Sequence, residues 1–152
     1  MREPSEPTDR FLGRLVDKKI KVHERVKKIL SDPSSSANPL HLNLLLLFQS
    51  EKSVRLVTTN FDSHFTNAAR TIFPDRETAA FYAPALPLGN PLQGISYLHG
   101  SVEKSPERLV LTDSDFGRAY LTEGWARRFL QQLFPKYTIL SIGSLRKATH
   151  VD

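Results

Sequence analysis

Two polar residues stand close together where a short β-favouring run gives way to a helical pattern. Residues 57–65 read VTTNFDSHF, which places Thr59, Asn60 and Asp62 between the expected strand and the expected helix. Ligands of open parallel α/β sheets bind beyond the carboxyl ends of the strands. These three residues are therefore the first candidates for a binding or catalytic site.

Two later strand-like runs also end in residues that could do chemistry. ISYLHG ends in His99 and Gly100, and YTILSIG ends in Gly143, which Ser144 follows. If all three runs are parallel strands of one sheet, an Asn, an Asp, a His and a Gly-Ser turn gather at the same edge. Each also has a structural interpretation: Asp62 as a helix cap, for instance, and His99 as a hydrogen-bonded turn residue.

This set of side chains could bind a specific group of ligand functions. Asn and Asp side chains can hydrogen-bond a carboxamide, and a histidine can take a proton from water or a ribose hydroxyl. A Gly-Ser turn can approach a phosphate or a ribose closely. Carboxamide, ribose and phosphate together describe NAD.

The surrounding patterns predict an α/β fold with a mostly parallel sheet. Strands are expected at 54–59, 95–100, 108–112 and 137–143, with a brief one near Phe81 and Tyr82; the first and last are expected to be buried. Helices are expected from Thr8 or Asp9 to about Leu30 with a break near Lys19, from Pro39 to Gln49, at 63–73, at 113–120 and at 123–134. Residues 1–7 are expected to be flexible, and 8–152 to form one domain.

Composition excludes several classes of protein. The 152 residues contain no cysteine, so disulfides, thiolate catalysis and cysteine-bound zinc are ruled out, and no metal is expected. The longest apolar run, LNLLLLF, is too short to span a bilayer, and no export signal begins the chain, so a cytoplasmic protein is expected. The net charge of +5 sits largely in 17–30, which favours a solvated helix face over a direct nucleic-acid partner.

The motifs together resemble a known family. TTNFD, then YLHGSV, then YTILSIGSL, with the helical run between the last two, are similar to the sirtuin-like domains of bacteria, especially the branch of prokaryotic defence proteins that hydrolyse NAD. The resemblance covers the chain from about Asn38 onward. It implies a three-layer, Rossmann-like fold.

The resemblance also implies roles for individual residues. Asn60 would orient the nicotinamide ribose and the attacking water, and His99 would be the general base. Asp62 would contact the nicotinamide side of the pocket, and Thr59 would help to bind the cofactor. Gly143 and Ser144 would bind the adenosine ribose and phosphate. The implied reaction is cleavage of the nicotinamide–ribose bond.

Two departures from the family pattern bear on activity. A glycine-rich turn of G-A-G-x-S type is missing, since Gly13 is the one glycine before Gly89, so the chain is expected to lack the first βα unit. Gly143 and Ser144 are adjacent where the family usually spaces them by one residue. We therefore expect a truncated domain with weak NAD binding and little or no hydrolysis.

Four functions stay open on the sequence. NAD hydrolysis in anti-phage defence is favoured over NAD-dependent deacylation, because deacylase sirtuins usually carry a four-cysteine zinc module that this chain cannot build. A non-catalytic module for NAD, ADP-ribose or a protein is the main alternative, and a basic nucleic-acid binder the last. The expected partners are NAD and either a second copy of the chain or a fused or separate sensor domain of a defence system.

Overall fold

The fold is a three-stranded parallel sheet with helices on both of its faces. The computed structural model describes residues 5–143. Within them the elements are α1 Thr8–Asp17, α2 Val22–Leu30, α3 Pro39–Leu45, β1 Arg55–Thr58, α4 His64–Ile72, β2 Ala80–Tyr82, β3 Gly94–Tyr97, α5 Asp113–Gly117, a π-helical turn Arg118–Thr122 and α6 Trp125–Leu133. Short 3₁₀ turns occupy Glu51–Ser53 and Pro106–Arg108. The predicted α/β class and parallel sheet are confirmed.

Strand β3 lies at the centre of the sheet, with β1 on one side and β2 on the other. Thr58 of β1 and Tyr82 of β2 both pair with Tyr97, so the three strands end level with one another. All three run in the same direction, which brings their carboxyl ends to one edge. This is the edge that the sequence marked as the candidate site.

Alternation of side chains along the strands divides the core between the two faces. Val57 and Leu98 pack on one face against a cluster that includes Trp125 and Phe129 of α6. The opposite face presents Leu56, Ile95 and Tyr97 to α3 and α4, in a cluster with Leu45, Phe65, Ala68 and Ala69. Helices on both faces give the three layers that the resemblance implied.

The N-terminal helical region breaks where the sequence predicted. Lys19 has a left-handed backbone with φ of 63°, and it separates α1 from α2. Helix α1 begins at Thr8, with Pro7 in the cap position and no side-chain cap bond. The two helices pack through Leu12, Leu15 and Val26 on the buried residues Leu109 and Leu111.

Helix α3 begins as predicted but ends early. Asn38 accepts hydrogen bonds from the backbone N–H groups of Leu40 and His41, and Pro39 occupies the first helical position. The helix ends at Leu45 rather than near Gln49. Leu46 and Leu47 are 61% and 68% exposed, because only one side of this segment faces the sheet.

Strand β1 is less buried than its apolar sequence suggested. Arg55 is exposed and Leu56 and Val57 are half-buried, whereas every residue of β3 is buried. The reason is position: β1 is an edge strand in the described sheet.

The strand predicted at 108–112 does not form, although residues 109–112 are buried. The backbone N–H of Val110 donates to the carbonyl of His99, but those of Leu111 and Thr112 donate to the carboxylate of Asp115. A side chain thus takes the donors that a strand partner would need. The segment becomes the N-terminal cap of α5, with Thr112 accepting from the N–H of Asp115.

The last predicted strand, at 137–143, is also absent from the described sheet. Tyr137 is anchored because its hydroxyl accepts the backbone N–H of Leu92. Beyond it Ile139, Leu140 and Ile142 are exposed, so this expected buried strand was wrong. A β-favouring run forms a strand only where a partner edge accepts its backbone groups, and this run pairs with none of β1 to β3.

Asp115 is expected to be a major contributor to stability. Besides the two backbone donors, its carboxylate binds His23 Nε2 at 2.7 Å and Arg118 Nη2 at 2.8 Å. Burial by itself would raise the pKa of Asp115, but hydrogen bonds from Thr112, His23 and Arg118 bring that pKa below its usual value.

We predict that Asp115→Ala lowers the free energy of unfolding by roughly 3 kcal/mol, because it leaves buried donors without an acceptor. Urea denaturation measures the loss. The exposed Asp75, changed to Ala, is the matched control and should stay within about 0.5 kcal/mol of the parent chain. Equal effects of the two changes would contradict the role given to Asp115.

Candidate active site at the carboxyl edge of the sheet

The pairing of β1 with β3 continues beyond the strands and sets the frame of the site. The N–H of Leu98 donates to the carbonyl of Thr58 at 2.9 Å, and the N–H of Val102 donates to that of Phe61 at 2.8 Å. Asn60 and His99 each lie two residues beyond the last paired residues, Thr58 and Tyr97. The structure therefore places both candidates on neighbouring backbone segments at one edge.

Asn60 occupies the exposed end of the first segment. Its backbone N–H donates to the hydroxyl of Thr58 at 3.1 Å, which fixes the turn out of the strand. Thr59 and Asn60 are both exposed, whereas Thr58 is buried. The carboxamide of Asn60 can donate through its NH₂ group and accept through its carbonyl, so it suits an amide or hydroxyl ligand.

Asp62 has a clear structural function. Its carboxylate accepts the backbone N–H of His64 at 3.0 Å, at the first residue of α4. A negative charge there is favourable, since helix N-termini carry unpaired donors and a positive dipole end. Asp62 is not the N-cap itself, since Ser63 holds that position without a side-chain cap bond, but it satisfies the first N–H of α4 from one residue earlier. Any contact of Asp62 with a ligand would come in addition to this bond.

His99 lies half-buried in the turn after β3. Its Nε2 is 2.8 Å from the hydroxyl of Tyr120, and its ring meets the ring of Phe116 edge-on, with centroids 5.2 Å apart. Burial lowers the pKa of His99 to about 4. The imidazole is therefore neutral at physiological pH and able to accept a proton, although burial weakens it as a base.

Two further histidines lie beside Asp62, and the sequence patterns did not single them out. The rings of His41 and His64 meet edge-on at 5.3 Å, and Nδ1 of His64 is buried without a hydrogen-bond partner. Burial lowers the pKa of His41, while the charge of Asp62 partly opposes the shift. Their separation in sequence, on α3 and α4, left no local signal of this contact.

Tyr120 and Asp115 are further residues that the motifs missed. Thr112 and Asp115 form a reciprocal capping box, whose T-x-x-D spacing is readable in the sequence. Phe116 and Tyr120 stand four residues apart, a spacing that places two aromatic rings on one helix face. Neither signal predicts that this face meets His99.

Gly143 and Ser144 cannot be joined to the site. Gly143 is exposed, with φ of 151°, at the end of a run that is not a strand of the described sheet. Ser144 lies outside the described residues. Their proposed contact with adenosine ribose and phosphate stays a prediction.

A separate open cavity of about 540 Å³ lies at the other end of the sheet. Lys52, Ala79 and Gln93, which line it, precede β1, β2 and β3 respectively. It therefore opens at the amino ends of the strands and shares none of the candidate site residues at the carboxyl edge. Because ligands of parallel sheets bind at the carboxyl ends, we do not assign NAD to it.

The part of the chain that the structure describes contains no group of three His, Asp or Glu side chains placed to hold a metal ion. Nor, across those same residues, is any helix both long and apolar enough to cross a bilayer.

Comparison with known proteins decides the family. Residues 54–147 match the family described as SIR2-like domain. The chain belongs to the SIR2-like domain family. The matched region contains β1, β3 and all of the candidate site residues, which agrees with the resemblance that their motifs indicated.

One relative of this SIR2-like chain is much longer. It is the uncharacterized protein y4cA of Sinorhizobium fredii (strain NBRC 101917 / NGR234), which is 28% identical over 148 residues. The match covers 89% of this chain but 12% of that relative, so this chain spans only a small part of its length. No solved structure matches.

The turn after β3 requires glycine at position 100. Gly100 has φ of 89°, and a Cβ atom there would lie 2.4 Å from the carbonyl oxygen of Arg108. We predict that Gly100→Ala lowers the free energy of unfolding by about 2 kcal/mol, as measured by urea denaturation. Gly117→Ala in α5 is the control, since a Cβ there meets nothing within 4 Å, and it should be neutral or slightly stabilising. A tolerated Gly100→Ala would show that the turn is not constrained.

The low pKa of His99 predicts a dependence of stability on pH. The unfolded chain binds a proton on this imidazole near pH 6.5, whereas the folded chain does so only near pH 4, so acid favours unfolding in this window. Between pH 7 and 4.5 the loss attributable to His99 should be roughly 2 kcal/mol. His99→Gln should remove that part of the pH dependence, measured as the difference between denaturation curves at the two pH values. An unchanged dependence would mean that His99 is not buried as a neutral group.

Proposed function

We propose that the chain binds NAD at the carboxyl edge of the sheet and cleaves the nicotinamide–ribose bond by hydrolysis. Membership of the SIR2-like domain family suggests the use of NAD. The observation that carries the proposal is the pairing of β1 with β3, which brings Asn60 and His99 to one edge. An exposed carboxamide and a neutral imidazole at one edge of the sheet offer the two functions that hydrolysis of this bond requires.

Each residue has a defined part in the proposed reaction. Asn60 would hold a ribose hydroxyl or the attacking water by hydrogen bonds. His99 would accept a proton from that water as its oxygen bonds to C1′ of the ribose. The bond between C1′ and the nicotinamide nitrogen breaks, and its electron pair leaves with nicotinamide. The products are nicotinamide, ADP-ribose and a proton, and the barrier falls as charge developing on the ribose is stabilised.

Phosphate recognition limits the affinity that we expect. In NAD-binding α/β folds a glycine-rich turn commonly holds the pyrophosphate at a helix N-terminus. Gly13, the one glycine before Gly89, lies inside α1 instead. We therefore propose weak NAD binding and slow turnover for residues 1–152 by themselves.

A non-catalytic module that binds NAD or ADP-ribose is the second candidate. The observation in its favour is the low pKa of His99, which makes the imidazole a weaker base than one supported by a carboxylate. In either case we propose that the chain acts in anti-phage defence. Its expected partner there is a sensor domain, either fused to it or separate.

Release of nicotinamide from NAD tests the proposal. We predict that the purified chain releases nicotinamide and ADP-ribose in equal amounts, detected by chromatography, and that His99→Ala and Asn60→Ala lower kcat/KM by about 10²-fold or more. Asn67→Ala on the exposed face of α4 is the matched control for the amide and should leave the rate unchanged.

The outcomes separate the candidates. NAD binding seen by calorimetry without nicotinamide release would favour the non-catalytic module. Transfer of an acyl group from an acetylated peptide faster than hydrolysis would favour a deacylase. Release of nicotinamide that survives His99→Ala would contradict the role assigned to that residue.

A further inference from the structure

The hydroxyl of Tyr120 contacts a ring nitrogen of His99, the proposed general base. Tyr120 Oη lies 2.8 Å from Nε2, within hydrogen-bond distance. The ring of Phe116 packs edge-on against the same imidazole, and the rings of Phe116 and Tyr120 lie nearly parallel, 19° apart in orientation. His99 is thus held on one side by two aromatic residues of a single helical segment.

That segment has an unusual geometry at Tyr120 itself. Arg118–Thr122 form a π-helical turn, in which the N–H of Glu123 donates to the carbonyl of Arg118 five residues earlier. π-Turns inside helices are rare and occur frequently at functional sites. Ala119 beside Tyr120 is fully buried, so the turn is packed into the core.

The start of the same segment is also fixed. Asp115, one residue before Phe116, is tied to His23 of α2 and to the backbone of the loop before α5. Arg118, at the first position of the π-turn, donates to the other carboxylate oxygen. The helical segment that carries Tyr120 is therefore fixed by these hydrogen bonds and by its packing in the core.

We propose that Tyr120 is a positioning residue for His99, whose hydroxyl donates to Nε2 and so keeps the imidazole proton on Nδ1. In this tautomer Nε2 carries the lone pair, and the Tyr120 hydroxyl occupies it until substrate arrives. When water or a ribose hydroxyl reaches Nε2, the Tyr120 hydroxyl rotates away and the lone pair accepts the substrate proton. The catalytic part of this inference rests on the proposed function, whereas the tautomer does not.

Nitrogen-15 NMR of the histidine rings in the full chain tests the tautomer without any turnover. In the parent protein at pH 7, His99 should show an unprotonated Nε2 and a protonated Nδ1. Tyr120→Phe keeps the ring but removes the donor, so the Nε2-protonated form should appear and the titration midpoint of His99 should rise. Tyr82→Phe is the matched control, because its hydroxyl donates to Glu103 and not to His99, and it should leave the His99 signals in place.

Two results would overturn the inference: a parent His99 that is protonated on Nε2, or a His99 spectrum unchanged in Tyr120→Phe. Where the parent chain cleaves NAD, Tyr120→Phe should lower kcat about tenfold while KM changes less than twofold, and an unchanged kcat would remove the catalytic part. Where the parent chain does not cleave NAD, the proposed function fails, and the NMR result still decides the assignment of Tyr120.

Discussion

The parallel pairing of β1 with β3 is the constraint on which the candidate site depends. Its backbone hydrogen bonds continue past the last strand residues, through Leu98 to Thr58 and through Val102 to Phe61. Since neighbouring parallel strands end at the same edge, no other interaction is needed to bring Asn60 near the turn that holds His99. The site is therefore a property of the sheet register, and a slip of one residue would turn every strand side chain to the opposite face.

The second level of organisation links the N-terminal helices to the same edge. Asp115 receives His23 from α2 and Arg118 from the π-turn, while Phe116 and Tyr120, on the helical segment that Asp115 caps, contact His99. A buried carboxylate with several donors is costly to disturb, because removal of one partner leaves charge or donors unsatisfied. The basic α2, which by charge alone looked like a solvated surface helix, thus contributes one side chain to the support behind His99.

Local signals in the sequence predicted the structure well, and signals that depend on distant partners did not. The start of α3 at Pro39, the break at Lys19 and the strand at β3 follow from neighbouring residues, and all three form. The segments at 108–112 and 137–143 have strand-like compositions, but one gives its backbone donors to Asp115 and the other meets no strand edge. The contact of Tyr120 with His99 joins residues that are 21 positions apart in the sequence, so no local pattern could predict it.

The π-turn and the left-handed Gly124 that follows it together separate two demands that one continuous α-helix would force together. Upstream of them, Phe116 must face the imidazole; downstream, Trp125 and Phe129 must face the sheet. In an α-helix each residue rotates the chain by about 100°, so one extra residue in a turn resets the angle between the side chains before the turn and those after it. Insertion or deletion of a residue at this turn during evolution would therefore change the contacts of the imidazole and leave the packing of α6 against the sheet intact.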